Sequence, residues 1–121
     1  MNPKTEEILK RIKRLIKLVV EIVDNFPKKT SAFKIGEQII DAVTSIGENF
    51  VETQTARSKK EFVSTMGIVL KETKETIYWL EIIKELGLTS SEEIDKILLE
   101  AKELTKIFAS IILTASKRLK N

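Results

Sequence analysis

Apolar residues recur along this chain at alternating intervals of three and four, the spacing that keeps them on one side of an α-helix. The first such row is Ile8, Ile12, Leu15, Val19, Ile22 and Phe26. It predicts a helix over about residues 4–25, ended by Pro27, which disfavours helical backbone in the residue before it and donates no hydrogen bond. Beyond Pro27, Thr30 or Ser31 is placed to cap a second helix over about residues 31–55. Two adjacent rows run along that helix: Ile35, Ile39, Ala42 and Ile46, and Gly36, Ile40, Val43, Gly47 and Phe50. Gly36 and Gly47 weaken a helix, so they read as places where another backbone comes close.

The pattern lapses near Thr55, and Ser58-Lys59-Lys60-Glu61 then has the spacing of a capping box. The third helix is expected over about residues 59–86, with Phe62, Met66, Val69, Thr73, Ile77, Leu80 and Ile83 on its inner side. Gly87 suits a left-handed cap, and Leu88 the apolar contact that follows one. A second capping box, Ser90-Ser91-Glu92-Glu93, opens a fourth helix over about residues 91–119, whose row is Ile94, Ile97, Ala101, Leu104, Phe108, Ile111 and Ala115. Short connections make neighbouring helices antiparallel, so the expected fold is an all-α, up-down-up-down four-helix bundle forming one domain over residues 1–121.

Composition narrows the chemistry. The chain has neither Cys nor His, which removes thiolate nucleophiles, disulfides, the neutral-pH proton carrier and the commonest zinc, haem and iron ligands. The Glu-x-x-His motif of di-iron bundles is absent for the same reason. A non-enzymatic protein without cofactor or metal is expected. The uncharged run from Ile107 to Ser116 is far short of the roughly 20 residues of a membrane span. The charged N-terminal segment lacks the apolar core of a secretion signal, so a cytoplasmic location and no membrane partner are expected.

Charge adds direction to the fold. In such a bundle the start of the first helix, the turn between the second and third, and the C-terminus share one end. That end would collect Lys4, Lys10, Arg11, Lys13, Arg14, Arg57, Lys59, Lys60, Lys117, Arg118 and Lys120, against Glu6, Glu7, Glu52 and Glu61. From Lys71 to Lys106 there are six Lys and nine acidic residues, although the whole chain is +3. A basic end suits phosphate backbones, and Lys10, Arg11, Lys13, Arg14, Arg57, Lys59 and Lys60 are the candidate contacts to RNA or DNA. The alternative is a solvated surface, and no aromatic residues are interleaved with these charges to stack bases.

Three further features stand out. Trp79, Ile82 and Leu86 make a second apolar strip beside the core row of the third helix, pointing to contact with another subunit, with ordinary core and a ligand pocket as the alternatives. Asn49 extends an apolar row into a position expected to be buried, where a structural hydrogen bond accounts for it. Glu48, Glu52, Glu72 and Glu75 could pair across helix faces, but nearby Lys59, Lys71 and Lys74 provide ordinary ion-pair partners.

The stretches Ser45-Ile46-Gly47-Glu48-Asn49, Ala56-Arg57-Ser58-Lys59-Lys60-Glu61-Phe62 and Lys71-Glu72-Thr73-Lys74-Glu75-Thr76-Ile77-Tyr78-Trp79-Leu80-Glu81, with Asn25-Phe26-Pro27, Gln38 and Glu52, carry a family resemblance. From about Phe26 to Ser116 the chain resembles the four-helix bundle proteins named after intervening sequences in 23S ribosomal RNA genes. The resemblance implies a cytoplasmic bacterial bundle assembled as a homopentameric ring, with no enzymatic activity. A related branch, the accessory variability determinant of diversity-generating retroelements, binds nucleic acid and a reverse transcriptase through a basic surface. This chain departs from many relatives at Ile40-Asp41, where they carry two Arg, and at Thr53, where they carry Gly.

Overall fold

The computed structural model describes residues 1–120; Asn121 and the side chain of Lys120 lie outside that description. Four α-helices follow in order: α1 (Pro3–Asp24), α2 (Thr30–Thr53), α3 (Lys59–Glu85) and α4 (Ser91–Lys120). There is no strand among the described residues. Each helix packs on its two neighbours, α1 on α2 and α4, and α3 on α2 and α4, while diagonal pairs stay apart. This is the square, antiparallel arrangement that the short connections require.

The rows read from the sequence form the shared interior. Ile12, Leu15, Val19, Ile39, Val43, Ile46, Met66, Val69, Leu80, Ile83, Ile94, Leu104 and Phe108 are fully buried. On α3 the buried row takes Thr76 where Ile77 was expected. The Thr73 and Thr76 hydroxyls donate to the carbonyls of Val69 and Glu72 at 2.8 and 2.9 Å, so both can be buried without an unmet polar group. Ile77 lies half-buried at the edge of the core.

Gly36 and Gly47 both face α1, but side chains fill the space where a close backbone was expected. A Cβ on Gly36 would meet Val23 at 2.9 Å, and one on Gly47 would meet Ile16 and Ile12 at 3.3 and 3.4 Å. The glycines therefore let branched α1 side chains sink into α2.

Helix ends mostly follow local chemistry. Asn2 caps α1, its side chain accepting from Thr5 N at 2.8 Å, with Pro3 in the first helical position. Ser58 caps α3 by accepting from Glu61 N at 3.0 Å, while the Glu61 carboxylate reaches past Ser58 to Arg57 N at 3.1 Å. Ser90 accepts from Glu93 N at 3.2 Å to open α4. Gly87 has φ +64, with Gly87 N bonded to Lys84 O and Leu88 N to Ile83 O, the paired bonds of a Schellman ending; Leu88 is buried. The exception is α2, which neither Thr30 nor Ser31 caps. A turn from Lys29 N to Pro27 O leaves Lys29 extended at the cap position, and Thr30 is already inside the helix.

Candidate binding pole

Internal contacts fix which residues lie level along the bundle. Gly47 faces Ile12 and Ile16, Asn49 bonds Glu72 at 2.7 Å, and Arg11 bonds Glu100 at 2.9 Å. Lys10, Arg11, Lys13 and Arg14 therefore ride beside the middle of α3 and α4. Along α3, Lys60 lies about 18 Å before Glu72 at 1.5 Å per residue. The structure thus separates the two predicted cation groups, leaving Arg57, Lys59 and Lys60 at the pole and residues 10–14 on the flank. Low-resolution topology brought them to one half of the bundle; helix register spreads them along it.

Arg11 is also committed. Its Nε and Nη2 donate to the two Glu100 carboxylate oxygens at 2.9 and 3.3 Å, a fork that ties α1 to α4. That hydrogen bond holds the guanidinium pKa above its ordinary value, with desolvation opposing it and the charges of Glu100, Glu103 and Glu7 adding to it. Lys10, Lys13 and Arg14 are exposed.

A different set converges at the pole. The overhanging start of α3 and end of α4 run about one to two turns beyond α1 and α2, on the order of 10 Å. The resulting step holds a cleft of about 570 Å³. Its apolar floor comes from Ile8, Phe50, Phe62, Met66, Ile111 and Ala115, and its rim carries Asn2, Lys4, Gln54 and Arg118. Phe50 is itself buried against Phe108, ring centroids 6.0 Å apart, whereas Phe62 is only half-buried. Phe62 follows Lys60 by two positions and turns inward, as its place on the inner row of α3 predicts, to line this cleft. Unequal helix lengths, 22 and 24 residues against 27 and 30, were the signal for the step.

Among the described residues the ion pairs lie away from this pole, although Lys28 and Lys29 at the opposite end are also without one. Lys34 pairs with Glu37 at 4.0 Å, Lys84 with Asp95 at 2.7 Å and Lys96 with Glu92 at 3.7 Å, all at the opposite end. Among the described residues no carboxylate pairs with Lys4, Arg57, Lys59, Lys60, Lys117 or Arg118. Glu61, the nearest acid in sequence to Lys60, is occupied with the Arg57 amide.

The remaining candidates are partly absorbed by the bundle. Trp79 and Ile82 are half-buried, Trp79 packs on the core and stands edge-on to Tyr78 at 5.0 Å, and Leu86 is 55% exposed. Asn49 is half-buried and donates to Ser45 O at 3.1 Å as well as to Glu72. Desolvation pushes the Glu72 carboxyl above its ordinary value, aided by the charges of Glu75 and Glu48 and opposed by hydrogen bonds from Asn49 and Ser45. No group of three or more metal-ligating side chains occurs among the described residues. Among the described residues no helix is long and apolar enough to cross a membrane.

Comparison with known proteins agrees with this architecture. A family model described as 23S rRNA-intervening sequence protein matches residues 4–110. Among solved structures, the fold is similar to a protein with unknown function from the S23 ribosomal protein family of Bacteroides thetaiotaomicron VPI-5482. The TM-score is 0.82 at 28% identity, covering 90% of this chain and 97% of the other. No curated protein matches the sequence.

Proposed function

The chain belongs to the 23S rRNA-intervening sequence protein family, and from that premise we propose that it is a non-enzymatic, homo-oligomeric adaptor whose basic pole binds nucleic acid or a nucleoprotein partner. The observation that carries this reading is the concentration of Lys4, Arg57, Lys59, Lys60, Lys117 and Arg118 at one end without carboxylate partners among the described residues. Cations left without internal partners can neutralise phosphates and release condensed counterions. Lys10, Lys13 and Arg14 extend the basic surface down the flank, and Arg11 contributes through position more than through free charge. The assembly is a cytoplasmic homopentamer, as the family resemblance implies, with Leu86 and the exposed edges of Trp79 and Ile82 in the subunit contact.

Labelled RNA and DNA oligomers titrated with the full-length protein at increasing salt test this reading. Lys59→Ala/Lys60→Ala should weaken binding and lower the salt slope by about 1.4 for a single strand, at roughly 0.7 per lost phosphate contact. Lys28→Ala/Lys29→Ala, at the other end, should leave both unchanged. Binding to neither polymer at low salt would reject the reading, and a native mass other than five subunits would reject the pentamer.

A second reading rests on the groove between α1 and α2, where Phe33 is 67% exposed beside Phe26, Ile40 and Gly36. Such a surface favours a protein-interaction module whose charges serve solubility. Copurification of one protein partner with no retained nucleic acid would favour it.

A further inference from the structure

We propose that the step cleft at the basic pole receives one unstacked base of a single-stranded nucleic acid, with the flanking phosphates held by the cations around it. The inference rests on the pole binding nucleic acid and specifies which form it takes. Phosphate neutralisation alone needs only a convex field of cations and makes no use of base faces. This pole is instead interrupted by an opening with an apolar floor, in which Phe62 is the one half-buried aromatic and Phe50 lies deeper. A duplex keeps its base faces stacked inside and cannot place one there. A single strand can turn a base out onto an aromatic or aliphatic surface.

The rim separates a base from other anionic occupants. Gln54 uses an amide N–H to bond the Thr53 hydroxyl at 2.9 Å, leaving its carbonyl oxygen to accept. Asn2 uses its carbonyl oxygen to accept from Thr5 N, leaving its amide to donate. The rim therefore offers both an acceptor and a donor, matching the mixed edge of a nucleobase. An acyl chain ending in a carboxylate would require donors alone beside the apolar floor. Lys4 and Arg118 flank the same opening. Lys59 and Lys60 lie on the overhanging first turn of α3, where a strand leaving the cleft would pass.

The test compares three labelled ligands of equal length on the full-length protein: an oligothymidylate, its abasic counterpart and a duplex. The oligothymidylate should bind about tenfold more tightly than the abasic strand, the weight of one stacked base. Ala115→Phe, which places a ring in the cleft and keeps every charge, should erase that difference while leaving abasic binding intact. Phe62→Leu should reduce it. Circular dichroism establishes that each variant is folded, and the wild-type comparison decides the matter even if one is not. Equal binding of the oligothymidylate and its abasic counterpart, still dependent on Lys59 and Lys60, would overturn the cleft and leave the basic pole standing. Binding of none would overturn both.

Discussion

The two ends of the bundle are built from the same materials and finished in opposite ways. At the end holding the α1–α2 and α3–α4 turns, Leu88 is buried, Gly87 closes α3, and Lys34, Lys84 and Lys96 are each paired with an acid, although the groove beside Phe33 stays open and Lys28 and Lys29 are unpaired among the described residues. At the other end the helices stop at different heights, the interior opens between Ile8, Phe62 and Ile111, and the cations lack such pairs among the described residues. The α3–α4 corner is finished for stability, whereas the open pole leaves unpaired cations and an apolar cleft for a partner. Substitutions at the closed end should therefore act on folding, and those at the open end on binding.

The largest expected effect follows from removing the plug of the closed end. Leu88→Ala deletes a buried side chain beyond the Schellman turn and should cost about 2–4 kcal/mol in urea unfolding. The folded fraction should bind at the other pole as the parent does. A loss of affinity in fully folded variant protein would show that the two ends are coupled and break the division.

Much of the closed end was legible in the sequence, because caps and turns are local. Ser90 and Gly87 act within four residues of themselves and do what their spacing implies, and Ser58 does the same for the start of α3 at the open end. The α2 start failed the same treatment because the turn after Pro27, a backbone event, shifted the cap to Lys29. The open end was legible only in outline. Antiparallel topology says which termini share an end, but helix register decides how far along each cation lies. Register here is set by long-range contacts such as Ile12 with Gly47 and Asn49 with Glu72, which no local pattern encodes. Lys10–Arg14 moved to the flank for that reason, and Lys4 and Arg118 took their place beside Phe62.

Two glycines sharpen the comparison at smaller magnitude. Gly36 and Gly67 are both helical, and alanine would gain roughly 1 kcal/mol of propensity at either. At Gly36 the new methyl would press on Val23 at 2.9 Å, a stiff β-branched neighbour, and overpacking of about 1–3 kcal/mol should outweigh the gain. At Gly67 nothing lies within 4 Å of the new atom. Gly36→Ala should therefore lower the unfolding midpoint and Gly67→Ala raise it. Equal shifts would mean that α1 and α2 can separate freely, and that tight packing is not what holds this hairpin.

The smallest effect concerns Glu72, which sits between the two ends and belongs to neither. Its carboxyl pKa is raised above the ordinary 4.5 because partial burial penalises the charged form, with Glu75 and Glu48 adding repulsion against the bonds from Asn49 and Ser45. An acid whose folded pKa is raised binds protons more readily folded than unfolded, so the wild type should gain stability as pH falls from that raised value toward 4.5. Below 4.5 both states are protonated and the gain is complete; above the raised value the ionised carboxylate is a net cost. Glu72→Gln keeps an oxygen to accept from Asn49 Nδ2 and removes the charge, so it should match or slightly exceed the wild type at neutral pH. The difference between the two proteins should shrink on acidification, measured by thermal unfolding at several pH values. A wild type that loses stability relative to Glu72→Gln over that window would show the opposite balance. The Asn49 bond would then stabilise the charged form more than burial penalises it, and the middle of the bundle would be an electrostatic tie between its two ends.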